Sequence, residues 1–263
     1  MREKLFNLWL RVRYNYFKPS ERKKFFGISV LDIRQFDKLA MEKFTITKLD
    51  FYNNNDVLFE SDQVMRRNNR LIIDCLFNPT TATTWQGTRR VNWLSGCLTT
   101  PVLINYGTWI ITAKMPNCWP AIWLLREKHV NEDGFTTITP EVDILETIHG
   151  NFQHTVHHTP STNRYSTDGM NNKLKYDYDF HEFAVDMRKD GYDFYIDGIL
   201  TGRFRGEGNM VSDKRLYLIL NNAANNGDID HDKGDFYRME VSSVKVLKNE
   251  FTTKTGESSK WEK

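Results

Sequence analysis

The sequence predicts an all-β protein in which two sheets form one sandwich. Short runs of β-branched and aromatic residues, such as 192–196 and 217–221, alternate with turn signals such as Asp197-Gly198 and the Asn-Gly-Asp run at 226–228. Helical periodicity is weak after the N-terminal segment. The 263 residues, 40% hydrophobic and 13% aromatic, can bury a sizeable core. Sandwiches of about 200 to 250 residues commonly form one domain.

The N-terminal segment differs from the rest because it combines basic and aromatic side chains. Residues 1–26 hold eight Lys or Arg against two Glu, a net charge of +6, whereas the whole chain carries only +2. Such a segment could cover the sandwich as a short helix or bind an anionic surface, and we favour packing or fraying over a partner site. We divide the chain into an N-terminal extension (1–35), a main domain (36–250) and a polar C-terminal tail (251–263).

Partners and location are predicted from features that the sequence lacks. No secretory signal is recognisable, because the apolar run 5–10 is interrupted by Asn7 and followed by Arg11 and Arg13. No apolar run approaches the roughly 20 residues of a membrane span. The near-neutral charge of the whole chain gives no general case for nucleic-acid or membrane binding. We expect no nucleic-acid partner, no membrane span and a monomer.

The three cysteines, Cys75, Cys97 and Cys118, are odd in number and widely spaced, which fits neither a zinc site nor a disulfide framework. A reducing compartment would suit them. We therefore expect a protein that is cytoplasmic as synthesised. Lysis, an unconventional export route or a phage particle would have to deliver it to an extracellular substrate.

A tryptophan-rich stretch, residues 119–125, marks the first candidate binding surface. If it is extended, Trp119, Ala121 and Trp123 share one face. Indole rings suit the apolar faces of sugars and also offer an N–H donor. Tryptophans at this spacing are more often core residues, so packing and sugar binding both stay open at this point.

Three carboxylates in six positions form the most distinctive pattern of the chain. Strand alternation places Glu141 and Asp143 on one face. A β-bulge at residues 144–145 would bring Glu146 to the same face, and bulges are frequent beside active sites.

Neighbouring carboxylates raise each other's pKa, which is how a protein makes a general acid. A carboxyl pair about 5 to 5.5 Å apart is the geometry of retaining glycoside hydrolysis, and Glu141 and Glu146 are the candidates. The spacing alone fits a solvated edge strand or a cation site equally well.

The two motifs together, Trp-Pro-Ala-Ile-Trp-Leu-Leu and then Glu-Val-Asp-Ile-Leu-Glu, resemble glycoside hydrolase family 16, which includes laminarinases, lichenases, agarases and carrageenases. Two residues between Asp143 and Glu146 resemble its β-bulge branch, which is laminarinase-like or agarase-like. The resemblance spans about 55–248 and implies a concanavalin A-like jelly-roll β-sandwich. It makes Glu141 the nucleophile, Glu146 the acid/base and Asp143 the residue that tunes the nucleophile.

The same resemblance implies four substrate-binding residues. Trp119 and Trp123 would border the sugar subsites, and His157 would lie on the neighbouring strand within reach of the acids or the substrate. Asn221 would line the cleft. The implied partner is a polysaccharide substrate.

Neither a metal nor a cofactor is expected. Ser242 stands where the family often has an aspartate that helps to hold a structural calcium. Of the clustered histidines, His154 and His157 would face opposite ways in a strand, and we expect no Cys or acidic ligand set to accompany them.

The predicted function is therefore that of a retaining endo-glycoside hydrolase. It would cleave β-1,3- or mixed-linkage glucan, or a galactan, by double displacement. A non-catalytic carbohydrate-binding jelly roll, such as a lectin or virion adhesin, is the alternative, because fold alone does not separate the two. The complete set of acids favours the enzyme, since a binding module has no need to keep two glutamates beside an aspartate.

Overall fold

The structure is a computed structural model that describes residues 2–17, 22–51, 56–126, 129–130, 136–137, 140–158, 166–168, 174–206, 215–224 and 236–248. Strands dominate this part of the chain and form two large sheets, so the predicted all-β class is confirmed. The predicted tail at 251–263 and the turn signal at 226–228 lie outside the described residues.

Helical segments are short. They are α1 (Arg2–Val12), the π-helical turn that continues it (Arg13–Phe17), α2 (Lys38–Met41) and a 3-10 turn (Ser61–Gln63). Among the helices described, none has the length and apolar character needed to cross a membrane. The strands are, in chain order, β1 (Ile28–Ile33), β2 (Thr45–Ile46), β3 (Asp50–Phe51), β4 (Val57–Phe59), β5 (Val64–Arg67), β6 (Arg70–Thr84), β7 (Gly87–Ser95), β8 (Cys97–Thr99), β9 (Gly107–Lys114), β10 (Trp119–Arg126), β11 (His129–Val130), β12 (Thr136–Thr137), β13 (Glu141–Ile148), β14 (Asn151–His158), β15 (Ser166–Asp168), β16 (Leu174–Lys175), β17 (Phe180–Arg188), β18 (Gly191–Ile196), β19 (Ile199–Arg205), β20 (Leu216–Ala223) and β21 (Phe236–Lys248).

The strands build a larger and a smaller sheet. In the described residues the larger sheet has 11 strands in the order β19-β18-β17-β9-β21-β6-β7-β4-β3, with β1 paired to β21 and β5 to β6. The smaller has eight, in the order β15-β14-β13-β10-β20-β8-β2, with β16 paired to β14. Because β10 lies between β13 and β20, Ala121 has Glu146 opposite it on one side and Asn221 on the other.

The strands expected at 192–196 and 217–221 are confirmed as β18 and β20. The hairpin from β18 to β19 turns at Asp197 and Gly198, whose φ values of 52° and 73° are both left-handed. Two such residues give the turn whose twist matches the flanking strands, which explains the Asp-Gly signal.

The apolar faces of the two sheets meet in one core. Phe152 of β14 and Phe183 of β17 are fully buried. Their rings pack edge to face between the two sheets, with the ring centres 5.5 Å apart. Val142 and Ile144 of β13 also face this core, with no exposed surface. Burial of each such side chain stabilises the sandwich by about 2 kcal/mol, and the opposite face of β13 is left for the carboxylates.

The N-terminal extension packs on the sandwich as a short helix. Leu10 and Tyr14 are buried, and the Asn7 side chain pairs with the backbone of Arg203 in β19, donating to its carbonyl and accepting from its N–H, both at 2.9 Å. Because β19 is the last strand of the larger sheet in the described residues, Asn7 satisfies backbone groups that an edge would leave open. Further along the extension, β1 pairs with β21.

Candidate active site

The three predicted carboxylates lie on β13, in the middle of the smaller sheet. β10 pairs with one side of this strand and β14 with the other, so the alternative of a solvated edge strand is wrong. Between Asp143 and Glu146, two residues of β13 stand opposite one residue of β14. The β-bulge predicted at 144–145 is therefore confirmed, and it returns Glu146 to the face of Glu141.

The bulge is secured by a histidine of the neighbouring strand. His154 is fully buried, and its Nδ1 hydrogen-bonds to the carbonyl oxygen of Ile144 at 2.6 Å. Its Nε2 lies 2.8 Å from Thr201 Oγ1, and its ring stacks on that of Phe194 in the larger sheet, with the ring centres 4.8 Å apart. Burial lowers the pKa of His154 to about 4, so near neutral pH its Nδ1–H donates to the bulge as an uncharged group.

All three carboxyl groups of β13 have a raised pKa, and burial is the main cause in each. Asp143 is only 3% exposed, and the charges of Glu146 and Glu141 add to burial in holding its pKa well above the usual range. Burial raises the pKa of Glu141, which His157 lowers and Glu146 raises further. The expectation that this face retains protons more readily than free carboxylates is supported.

Glu146 is held by two hydrogen-bond donors. Trp119 Nε1 donates to Glu146 Oε1 at 2.7 Å, and the Thr155 hydroxyl is a second partner. Burial raises the pKa of Glu146, while these donors and the nearby His157 favour its charged form and lower it. The carboxyl group can therefore exist in both protonation states, as an acid/base must.

His157 bridges the other two acids. It stands directly opposite Glu141 in the pairing of β13 with β14, and its Nε2 lies 3.0 Å from Asp143 Oδ2 and 3.7 Å from Glu141 Oε1. The expectation that this residue reaches the acids from the neighbouring strand agrees with these distances.

The two tryptophans are only partly buried, and they share one face of β10 as expected. Trp123 Nε1 donates to Asn221 Oδ1 at 2.7 Å, and Asn221 itself is almost fully buried. Both indoles pack along one side against an apolar cluster that includes Ile219 and Ala223. Packing and hydrogen bonding thus fix the rings while part of each surface stays accessible.

The histidine cluster divides as expected, but the statement that no acidic ligands accompany it is wrong. His154 and His158 are buried, whereas His157 faces the acids. Potential ligand atoms of Glu141, Asp143 and His157 lie within 4.8 Å of one another. Strand pairing creates this group, so the separation in sequence concealed it.

The surroundings of Ser242 do not suit calcium. Its Oγ donates to the carbonyl of Thr112 at 3.2 Å, and the groove beside it is lined by Lys23, Lys24 and Lys245 as well as by carboxylates. Calcium needs six to eight oxygen ligands, which this mixture of ammonium groups opposes.

Two residues of the acid face were not anticipated. Thr155 contacts Glu146, and Gln153, 6% exposed, stands opposite Glu146 in the strand pairing. Both precede His157 by even numbers of residues, so alternation along β14 was a signal that could have placed them on the same face.

Three carboxylates and two partly exposed indoles on one face of a β-sandwich suit a protein that binds or cleaves carbohydrate. The family model Glycosyl hydrolases family 16 matches residues 51–236. The chain belongs to this family and is a glycoside hydrolase, as the motifs predicted. Among curated protein sequences, none matches the chain.

Several solved structures share the fold at low sequence identity. The laminarinase catalytic domain of Thermotoga maritima MSB8 has a TM-score of 0.66 and 20% identity, over 86% of this chain and 99% of that one. LamA of Zobellia galactanivorans, bound to laminaritriose and laminaritetraose, has a TM-score of 0.64 and 18% identity, over 85% of this chain and 100% of that one. The κ-carrageenase of Pseudoalteromonas carrageenovora has a TM-score of 0.63 and 16% identity, over 88% of this chain and 98% of that one. The predicted jelly-roll fold is confirmed.

Proposed function

We propose that this hydrolase is a retaining, endo-acting enzyme that cleaves a β-linked polysaccharide, either a β-1,3- or mixed-linkage glucan or a galactan. The acid face of β13 is the observation that carries the proposal. Retention is general in the family, and it requires one carboxylate nucleophile and one carboxylic acid that flank the scissile glycosidic bond about 5 to 5.5 Å apart.

In the first step Glu146 gives its proton to the glycosidic oxygen. A carboxylate oxygen of Glu141 bonds to the anomeric carbon while the bond to the leaving sugar breaks. In the second step Glu146, now ionised, takes a proton from water, and the water oxygen displaces Glu141. Both carboxyl groups return to their starting protonation states.

The contacts of each acid suit its proposed role. Trp119 and Thr155 donate to Glu146, which stabilises the ionised form that the second step needs. Asp143 is buried between the glutamates, and burial and their charges hold its pKa well above the usual range, so it retains its proton more readily than a free carboxyl and favours the negative charge on Glu141. Asp143 thereby tunes the nucleophile without competing with it.

Sugar rings would lie along β10. Trp119 and Trp123 offer partly exposed indole faces next to the acids, and His157 offers a polar edge. Asn221 is almost fully buried and bonded to Trp123, so we assign it to orienting that ring. Structures of this fold hold laminari-oligosaccharides in one case and a κ-carrageenan oligosaccharide in another, which is why both glucans and galactans stand in the proposal.

The test is a screen on laminarin, mixed-linkage β-glucan, agarose and κ-carrageenan. Endo cleavage should lower the viscosity of one of them well before many reducing ends appear. Glu141→Gln should reduce turnover to the level of the blank while polysaccharide binding persists, because the covalent route then has no nucleophile.

Glu182→Gln is the matched control. Glu182 is a half-buried glutamate of the larger sheet whose pKa is also raised by burial, and its loss should leave turnover intact. Binding without turnover by the native chain on all four substrates would support the lectin-like alternative. Turnover by Glu141→Gln at the native rate would remove Glu141 from its role.

A further inference from the structure

The N-terminal helix, which is α1 together with the π-helical turn that continues it, carries large apolar side chains on two opposite faces. Its inward face carries Asn7, Leu10 and Tyr14, which are 6%, 1% and 2% exposed, and Asn7 bonds to the backbone of β19. Its outward face presents five exposed apolar residues, which we call the apolar stripe. They are Leu5 (60% exposed), Leu8 (45%), Trp9 (52%), Val12 (38%) and Tyr16 (78%).

The spacing of the stripe is that of one helix face. Steps of three and four residues keep the side chains within a strip about 100° wide. Packing on the sandwich does not account for it, because the inward face already provides the helix with its buried contacts. A contiguous exposed apolar strip of this kind marks an interaction surface.

Cations lie along both flanks of the apolar stripe. At about 100° per residue, Lys4 and Arg11 fall on one side and Arg13 on the other. The Arg13 guanidinium lies 5.3 Å from the centre of the Trp9 ring. From Lys4 to Phe17 the sequence has no acidic residue, and within the described part of the chain none of these three cations forms an ion pair with a carboxylate.

The helix is also fixed in place before any partner arrives. Asn7 is bonded to the backbone of β19, and Asn15 accepts at 2.8 Å from the backbone N–H of Lys175 in β16. The segment is thereby joined to both sheets. The stripe can meet a partner while Leu10 and Tyr14 stay buried.

We propose that the apolar stripe of α1 docks this protein reversibly on an anionic membrane surface, with the helix axis parallel to the bilayer. Leu and Trp at the centre with Lys and Arg at the flanks is the pattern of helices that lie at the boundary of headgroups and acyl chains. A nucleic acid is a poorer match for the stripe, because its charged phosphates would face the apolar centre while the cations lie only at the flanks. A second copy packed stripe to stripe would bring like charges together along both flanks.

The test is co-sedimentation of the full chain with vesicles of phosphatidylglycerol and phosphatidylcholine, compared with vesicles of phosphatidylcholine alone. We expect binding to the anionic vesicles that weakens as salt rises. Leu5→Glu combined with Trp9→Glu should weaken binding at least tenfold. Lys4→Gln should weaken it about fivefold, the effect of one cation near an anionic surface.

Trp85→Glu is the matched control, because Trp85 is 81% exposed in the turn between β6 and β7. It should bind as the native chain does, and thermal unfolding should show that all variants fold. Equal binding to neutral vesicles, no binding to either kind, or retention by the double variant would overturn the proposal. So would a native dimer in sedimentation velocity that the double variant abolishes, since the stripe would then join two copies.

Discussion

At the scale of single residues, the site depends on how three carboxyl groups divide their protons. Asp143 is nearly inaccessible and lies between two other acids, so it is the group that loses its proton least readily. Glu146 differs because Trp119 and Thr155 donate to it. His157 opposes the rise in the pKa of Glu141. The same burial therefore yields three different acids, and each suits a different role.

Replacement of Glu146 by Ala tests the acid/base role directly. General acid–base catalysis contributes about 10²- to 10⁴-fold, so hydrolysis of the polysaccharide should fall by that range. With an aryl glycoside whose leaving group needs no proton, azide should restore turnover at least tenfold, because it attacks the glycosyl-enzyme without a general base. The product should be a β-glycosyl azide. Failure of azide at any concentration would assign Glu146 another role.

Replacement of Trp119 by Phe should shift the basic limb of kcat/KM to higher pH. The Trp119 N–H stabilises ionised Glu146 and lowers its pKa, so its removal leaves the protonated acid present to higher pH. A hydrogen bond to a charged group is worth about 1.5 kcal/mol, or about one pH unit. The control is Trp123→Phe, since that indole donates to Asn221. Equal shifts in both variants would attribute the effect to altered sugar stacking.

At the scale of elements, β13 works because a bulge interrupts its alternation. The bulge could be predicted from sequence because three acids can share a face only if one extra residue is inserted. Its support could not, since His154 reaches Ile144 through the pairing of β13 with β14. Spacing did not reveal the contact of His157 with Glu141 and Asp143 for the same reason, and only the family resemblance predicted that His157 would reach the acids. Alternation along a strand shows which of its side chains share a face. Only the register between neighbouring strands shows which side chains contact each other across the sheet.

The N-terminal helix shows a similar limit. Its basic and aromatic composition indicated either packing or an anionic partner. The structure shows this segment packed through Leu10 of α1 and Tyr14 of the following π-helical turn, while Leu5 and Trp9 remain exposed. Composition cannot assign apolar residues to two faces of one helix, because that division depends on where β19 lies.

Replacement of His154 by Phe should lower kcat by at least tenfold with little change in KM. Phe keeps the stacking on Phe194 but leaves the Ile144 carbonyl without its donor, which costs about 1 to 3 kcal/mol and frees the bulge that aims Glu146. His154→Gln, which can donate again, should recover part of the loss. The ratio of native to variant kcat should be the same above and below pH 7, because His154 stays neutral. A fall in stability alone, with kcat unchanged in the folded fraction, would make His154 purely structural.

At the scale of the whole molecule, the two sheets have different tasks. The smaller sheet places the two reacting glutamates of β13 beside the side chains of β10, β14 and β20 that surround or orient the site. The larger sheet supports the bulge from the opposite side through Phe194 and Thr201. The α1 helix lies at the edge of the sandwich on β19, apart from the acid face, so a docked enzyme would not need to use its catalytic surface for attachment.

The stereochemistry of the reaction tests the fold, the bulge and the acid pair together. Retention requires the two reacting carboxyl groups to lie about 5 to 5.5 Å apart, whereas inversion needs room for water, at about 6.5 to 9.5 Å. Glu141 and Glu146 share one face of the same strand across the bulge, which favours the closer arrangement. Proton NMR of the first product from a β-linked oligosaccharide should show the β-anomer before mutarotation, because two displacements restore the starting configuration. An α-anomer appearing first would exclude the glycosyl-enzyme even in an active protein, and would mean that water enters between Glu141 and the anomeric carbon.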